Sequence, residues 1–307
     1  MSLLDIKKIE ALVYLLDDID LEIGNQIANE LVNIGQSAIP FLEDAILVAD
    51  NEFHRSRIDE TILLIRDKNI AQKLENWIVT DQQDLLEAWC IVSELSNKEI
   101  NRVEIKNKIN QIRLTIWLGL FNEQSSYEKI QLLNHIFFNQ NKFSGDNESY
   151  NSPNNSFINE VIERKKGNPI SLSVLYMLIA QRLNLPVFGI NLPQHFVLAY
   201  YPLDVNSLLK NTKDNLESDI EMKLIADFNE EPLFFINPFN KGAIFSKVHL
   251  IKFLKEIKVD TDNYNLTVSS NKEIVQRMLR NLQYSYSFLN KSKAKNRVDK
   301  LIGLFDV

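Results

Sequence analysis

The sequence predicts a mostly helical α+β fold, and three observations predict it. Apolar residues recur at helical spacing through the first 139 positions, punctuated by cap residues and glycine. A stretch apolar on every side, 169–184, is followed at once by two short alternating segments. That is the pattern of a buried central helix backed by antiparallel strands. Two more helical stretches, the first opened by a serine–glutamate capping box, close the chain. With 307 residues, 45% of them hydrophobic and 24% charged, the chain is long enough for two or three domains with ordinary buried cores.

Taken in order, residues 5–17 carry Leu12, Val13, Leu15 and Leu16 on a first helix. In "DIDLEIGNQIANELVNIG" Asp20 is the expected N-cap and Gly35 the stop. "QSAIPFLEDAILVA" and "NEFHRSRIDETILLIRD" make two more helices with short connections. Together they resemble a HEAT repeat, which cannot bury its own face alone, and this sets off residues 1–68. Residues 69–140 read as a helical bundle, with Ser125 and Glu128 forming a capping box before "YEKIQLLNHIFF". The Asn-, Ser-, Gly- and Pro-rich "NKFSGDNESYNSPNNS" reads as a loop and a boundary.

Residues 141–257 then form the α+β core. Asn155 and Ser156 read as caps of a short helix, 156–165. Gly167 permits a sharp approach, Asn168 caps the central helix, and Pro169 occupies its first position without losing a needed hydrogen bond. Strands near 187–191 and 195–201 are separated by Leu-Pro-Gln and so form an antiparallel pair, beside which 233–237 can lie. The polar segment 202–231 between them reads as a surface excursion. "SKVHLIKFLKEI" is a helix capped by Ser246. Residues 258–307 form a helical hairpin opened by Ser270 and Glu273, similar to one tetratricopeptide unit; a plain docked hairpin fits the same residues.

Composition excludes several functions. The formal net charge of −7 and a pI near 5.3 give no electrostatic case for nucleic acid or an anionic membrane. The basic cluster "NKSKAKNRVDK" reads as a solvated helix face. The first residues lack the ordered parts of a signal peptide, and the longest uncharged apolar run, Val174 to Ala180, is too short to span a bilayer. A single cysteine, Cys90, rules out an internal disulfide, and its apolar helical setting marks an inert core thiol. A cytoplasmic protein is therefore expected. His54, His135 and His249 have no metal-ligand spacing and there is no glycine-rich phosphate loop, so neither metal nor cofactor is expected.

The stretch "SPNNSFINEVIERKKGNPISLSVLYMLIAQRLNLPVFGINLPQHFVLAYY", with "FFINPFNKGAIF" further on, resembles the transglutaminase-like, papain-like core. More closely, residues 130–305 resemble the bacterial transglutaminase-core-like family with tetratricopeptide-type C-termini (the sirB-operon protein family). The resemblance implies a cysteine nucleophile at the N-terminus of the central helix, where the helix dipole favours thiolate. It also implies a histidine opening the next strand pair and an Asp or Asn on the following strand. Carried onto this chain, the nucleophile falls on Pro169, the histidine on His195 and the orienting residue on Asn237.

Proline has no nucleophilic side chain and no N–H, so the thiol mechanism is impossible there. Ser171, about 200° further round the helix, is the candidate replacement, with Ser173 further in; helical serines can also be no more than small residues that allow close packing. His195 shares a strand face with Val197 and Ala199 and can be either a core or a pocket histidine. Asn168, Pro169, Gln194, Tyr150 and Asn155 are the candidate binding residues. The expected function is a non-catalytic scaffold for a protein or peptide partner, with no nucleic acid or membrane partner. The alternative is a hydrolase or transamidase using His195 and Asn237 with Ser171 or a substrate-derived nucleophile.

Overall fold

The computed structural model describes residues 3–18, 20–49, 51–80, 83–193, 195–202, 231–256, 258 and 266–306. The chain divides into two compact units, Met1–Asn76 and Trp77–Val307. In the first, α1 (Leu3–Leu15), α2 (Leu21–Ile34) and α3 (Ile39–Val48) are followed by the long α4 (Glu52–Val79), whose residues 77–79 belong to the second. The Asp20 carboxylate accepts from Glu22 N–H and Ile23 N–H, and α2 ends where Gly35 adopts φ +80°, as the sequence indicates. Ile9, Val13 and Leu16 of α1 and its turn meet Leu31, Leu42, Ile58 and Ile65 in one apolar core. Helix α4 runs past residue 68, further than its charged "RDKN" stretch suggests. Ile70 and Leu74 prolong its buried stripe and outweigh the polar residues between them.

The second unit begins with α5 (Leu85–Ser93), α6 (Arg102–Trp117) and α7 (Ser126–Asn134), which passes into a π-turn at His135–Gln140. The Ser125–Glu128 capping box is present in full. Residues 141–157 are pinned within this unit rather than forming a loose connection. A two-residue strand β1 (Ser144–Gly145) pairs in parallel with β2 (Lys166–Gly167), and α8 (Ile158–Arg164) lies between them in the chain. Helix α9 (Pro169–Gln181) is buried from Ile170 to Ala180, as a helix apolar all round must be.

An antiparallel sheet follows in the order β3 (Val187–Leu192), β4 (His195–Tyr200), β5 (Phe234–Asn237), β6 (Ala243–Phe245). The predicted excursion at 203–230 lies outside the described residues. Period-two alternation divides the sheet. Phe188, Ile190, Val197, Ala199 and Phe235 form one face, covered by Leu250 and Leu254 of α10 (Lys247–Glu256). The alternate residues, Leu198 and Ile236 among them, are buried on the face where α9 packs.

Helices α11 (Asn271–Phe288) and α12 (Ser292–Gly303) make the closing hairpin. The segment before it covers the free edge of β3, with Ser269 N–H donating to Gly189 O at 2.8 Å. The hairpin is docked through Asn271, whose Nδ2 donates to Gln83 O at 2.8 Å, and through Arg297 on Asn97 Oδ1 at 3.1 Å.

Candidate functional site

The start of α9 is the natural place to look, because a helix N-terminus presents unpaired N–H groups to whatever lies before it. Here Pro169 has no N–H to offer and that of Ser171 is spent internally. Ser171 N–H donates to Asn168 Oδ1 at 2.9 Å, and Asn168 N–H donates to Ser171 Oγ at 3.0 Å. This reciprocal box leaves both side chains buried, Ser171 at 0% exposure. Gly167 makes the closure possible, since a Cβ there would sit 2.6 Å from Ser171 Oγ. Ser171 thus holds the third helical position of a cap, and its hydroxyl does not reach solvent. Pro169 remains half-buried at the first position.

Behind the cap lies a buried polar network. Asn168 Nδ2 donates to Ser156 Oγ at 3.0 Å, and the Trp89 indole N–H donates to Ser156 O at 2.8 Å. Arg164 bridges Asp146 Oδ2 and Asn155 Oδ1, each at 2.8 Å, and Asn155 Nδ2 donates to Ser149 O at 2.8 Å. Asn155 is fully buried and fastens the 149–155 loop, so a ligand has no route to its side chain. Each member has a charged or amide partner, which rigidifies the approach to α9. Asp146 and Arg164 went unnoticed in the sequence because a buried ion pair between loop and helix has no local spacing signature.

His195 opens β4 as expected, but on the face away from α9. Its ring packs edge-on against Phe253 of α10, centroids 4.8 Å apart. Partial burial, followed by the nearby Arg277 charge, holds its pKa below the ordinary 6.5. Asn237 Oδ1 accepts from Asn240 N–H at 3.2 Å and caps the turn Pro238–Asn240. In register, Leu198 pairs with Ile236, so His195 lies beyond the paired segment and Asn237 makes no hydrogen bond to it. The structure therefore does not assemble Pro169, Ser171, His195 and Asn237 into one constellation. Gln194 lies outside the described residues.

Tyr150 is exposed and stands at 90° against Phe239 of that same turn, centroids 5.9 Å apart. Phe239 in turn lies over Gly145, where a Cβ would come within 2.6 Å of its ring. Tyr150 and Phe239 thus form an aromatic pair beside β1, and Phe239 sits in "INPFNKG" with no spacing to announce it. A separate cleft of about 350 Å3 is lined by Tyr127, Gln131, Asn134, His135 and Lys241. Neither His195 nor Asn237 borders it. Asn134 is fixed there, accepting from Tyr176 O–H at 2.8 Å and donating to Gly242 O at 2.9 Å. Among the described residues no group of three or more His, Cys, Asp or Glu side chains is placed to hold a metal ion.

Comparison with known proteins gives this geometry a context. A family profile described as "Transglutaminase-like superfamily" matches residues 103–280, more than half of the chain. The UPF0162 protein of Xylella fastidiosa (strain Temecula1) is 41% identical over 76 residues, 25% of this chain and 27% of that protein. The UPF0162 protein of Vibrio cholerae is 28% identical over 119 residues, 39% of this chain and 44% of its own. F-box only protein 21 of Mus musculus is 34% identical over 71 residues, 23% of this chain and 11% of that protein. These matches span less than half the length of each relative. No solved structure matches the chain. A buried helix backed by an antiparallel sheet, with the profile laid over both, leaves one conclusion: the chain belongs to the transglutaminase-like superfamily.

Proposed function

We propose that this chain is a non-catalytic member of its superfamily, a cytoplasmic scaffold that holds a protein or peptide partner and needs no cofactor. One observation carries the reading. At the helix end where the fold's nucleophile would stand there is Pro169, and the hydroxyl two residues on, Ser171, is sealed into a capping box. Transfer chemistry needs a nucleophile within hydrogen-bond reach of its base, and His195 lies against Phe253 on the other face of the sheet. The HEAT-like leading helices and the tetratricopeptide-like closing hairpin are the surfaces that this reading assigns to partners.

The test is labelling of the native chain with a serine-directed fluorophosphonate and with iodoacetamide. No covalent adduct by intact-mass measurement is the expected outcome. An adduct mapped to Ser171, and lost in Ser171→Ala while circular dichroism shows a folded protein, would overturn the scaffold reading in favour of a hydrolase or transamidase.

A further inference from the structure

The first unit leaves an unusual amount of apolar surface in water. Tyr14 is 82% exposed and Val48 76%, although both belong to helices whose other sides are buried. They border a groove of about 790 Å3 between α1 and α3, with Phe41 and Ala45 also lining it. Soluble surfaces carry scattered apolar residues without consequence, but a groove walled by them marks a binding surface. Its charge is one-sided. Glu10, Asp17, Asp18 and Asp44 all line it, and among the described residues His54 is the one lining side chain able to carry positive charge.

Two of the four carboxylates are partly engaged. Asp17 Oδ1 lies 3.6 Å from His54 Nδ1, and Asp18 Oδ1 accepts from Asp20 N–H at 2.9 Å. Glu10 and Asp44 are exposed and have no ion-pair partner among the described residues. An apolar trough with unneutralised carboxylates along its rim complements a helix with apolar residues on one face and lysine or arginine beside them. The same acidic rim repels an anionic lipid surface. We infer that this groove is the docking site for a basic amphipathic helix of a partner protein. The inference rests on the scaffold reading in taking this chain for a partner-binding protein; it names the surface and the partner's chemistry.

The experiment uses the full-length chain and a fluorescein-labelled synthetic 18-residue peptide, with leucines at positions i, i+3, i+4 and i+7 and lysines elsewhere. A second peptide carries glutamate in place of lysine. Fluorescence anisotropy should show binding of the basic peptide, weakening several-fold as NaCl rises and screens the rim, and no binding of the acidic one. Val48→Asp should weaken binding about tenfold or more, as loss of an apolar anchor does. Glu10→Gln with Asp44→Asn should weaken it several-fold and flatten the salt dependence. Val103→Asp, an exposed position on α6, should leave binding unchanged.

These substitutions are at exposed positions, so the variants should remain folded by circular dichroism. Equal binding by wild type and Val48→Asp, or preference for the acidic peptide, overturns the proposal. So does self-association of the chain that Val48→Asp abolishes, which would make a second copy the occupant. The helical run Leu21–Val48 is long and apolar enough to cross a membrane by length and composition. Hence flotation with phosphatidylcholine vesicles in preference to peptide binding also overturns it. Covalent labelling reports on the core and peptide binding on the groove, so failure of one reading is distinguishable from failure of the other.

Discussion

Single residues show how burial decides chemistry here. Cys90 is 1% exposed on α5, and burial pushes its thiol up to about 12; Arg102 opposes this, while Glu87 and Asp84 reinforce it. The nucleophile is the thiolate, so the native chain should not react with a disulfide reagent such as DTNB at pH 8. One thiol should titrate only after urea unfolding, and rapid release of thionitrobenzoate in native buffer would contradict the burial argument. The sequence already indicated this, because the apolar neighbours of Cys90 lie on its own helix. His195 was less legible. Alternation placed it with Val197 and Ala199, and that face was found, but nothing local shows that α10, fifty residues on, covers it. The environment of His195 depresses its pKa, chiefly by burial. The unfolded chain therefore binds more protons than the folded one between the folded pKa and 6.5. Its contribution to stability is complete above 6.5 and is lost as pH falls through that window. Urea midpoints measured from pH 8 down to pH 5 should decline less steeply for His195→Gln than for wild type; parallel declines would show that the ring is not held neutral by the fold.

Helix starts are the elements the sequence announced most clearly, because a cap is a local device. Asp20, Ser125, Asn168 and Ser270 all cap as their spacing indicates, the last with Glu273 in a full box. What the sequence hid was the length of α4, where tertiary burial overrides a charged stretch, and β6, whose three residues are too few to show alternation. The cap of α9 matters more than the others because it is buried and joined to the network behind it. Asn168→Ala removes the acceptor of Ser171 N–H and the donor to Ser156 Oγ. An exposed cap is worth about 0.5–2 kcal/mol, and a buried group left unpaired costs a further ~1–3 kcal/mol. The variant should therefore lose about 2–4 kcal/mol in urea unfolding, against about 1 kcal/mol for Ser125→Ala, whose box is exposed. Equal losses would mean that the α9 cap is an ordinary surface cap and that the rigidity assigned to the approach to the helix is misplaced.

At the scale of the whole molecule, the distribution of tryptophan turns the two-unit organisation into a measurable property. Trp89 and Trp117 lie well inside the second unit and Trp77 stands one residue past the boundary, on the last turn of α4, so intrinsic fluorescence reports chiefly on the second unit. Far-ultraviolet circular dichroism reports on both, since α1 to α4 carry much of the helix. A unit of 76 residues buries a smaller fraction of its surface than one roughly three times as long, and exposes less of it on unfolding. It should have the lower stability and the shallower urea dependence. Circular dichroism should therefore begin to fall while fluorescence changes little beyond the share of Trp77, and the two signals should move fully together only in a second, steeper transition. Variants assign the phases. Leu31→Ala empties a fully buried position of the first core, at a cost of about 2–5 kcal/mol, and should shift only the early phase. Asn168→Ala should shift only the late one. Superimposable transitions by both probes, moved together by either variant, would show that the chain unfolds as a single cooperative block. The acid-rimmed groove would then sit on a surface as rigid as the core, and a partner helix docking there would stabilise both units at once. With separate transitions, the same partner would raise only the early one.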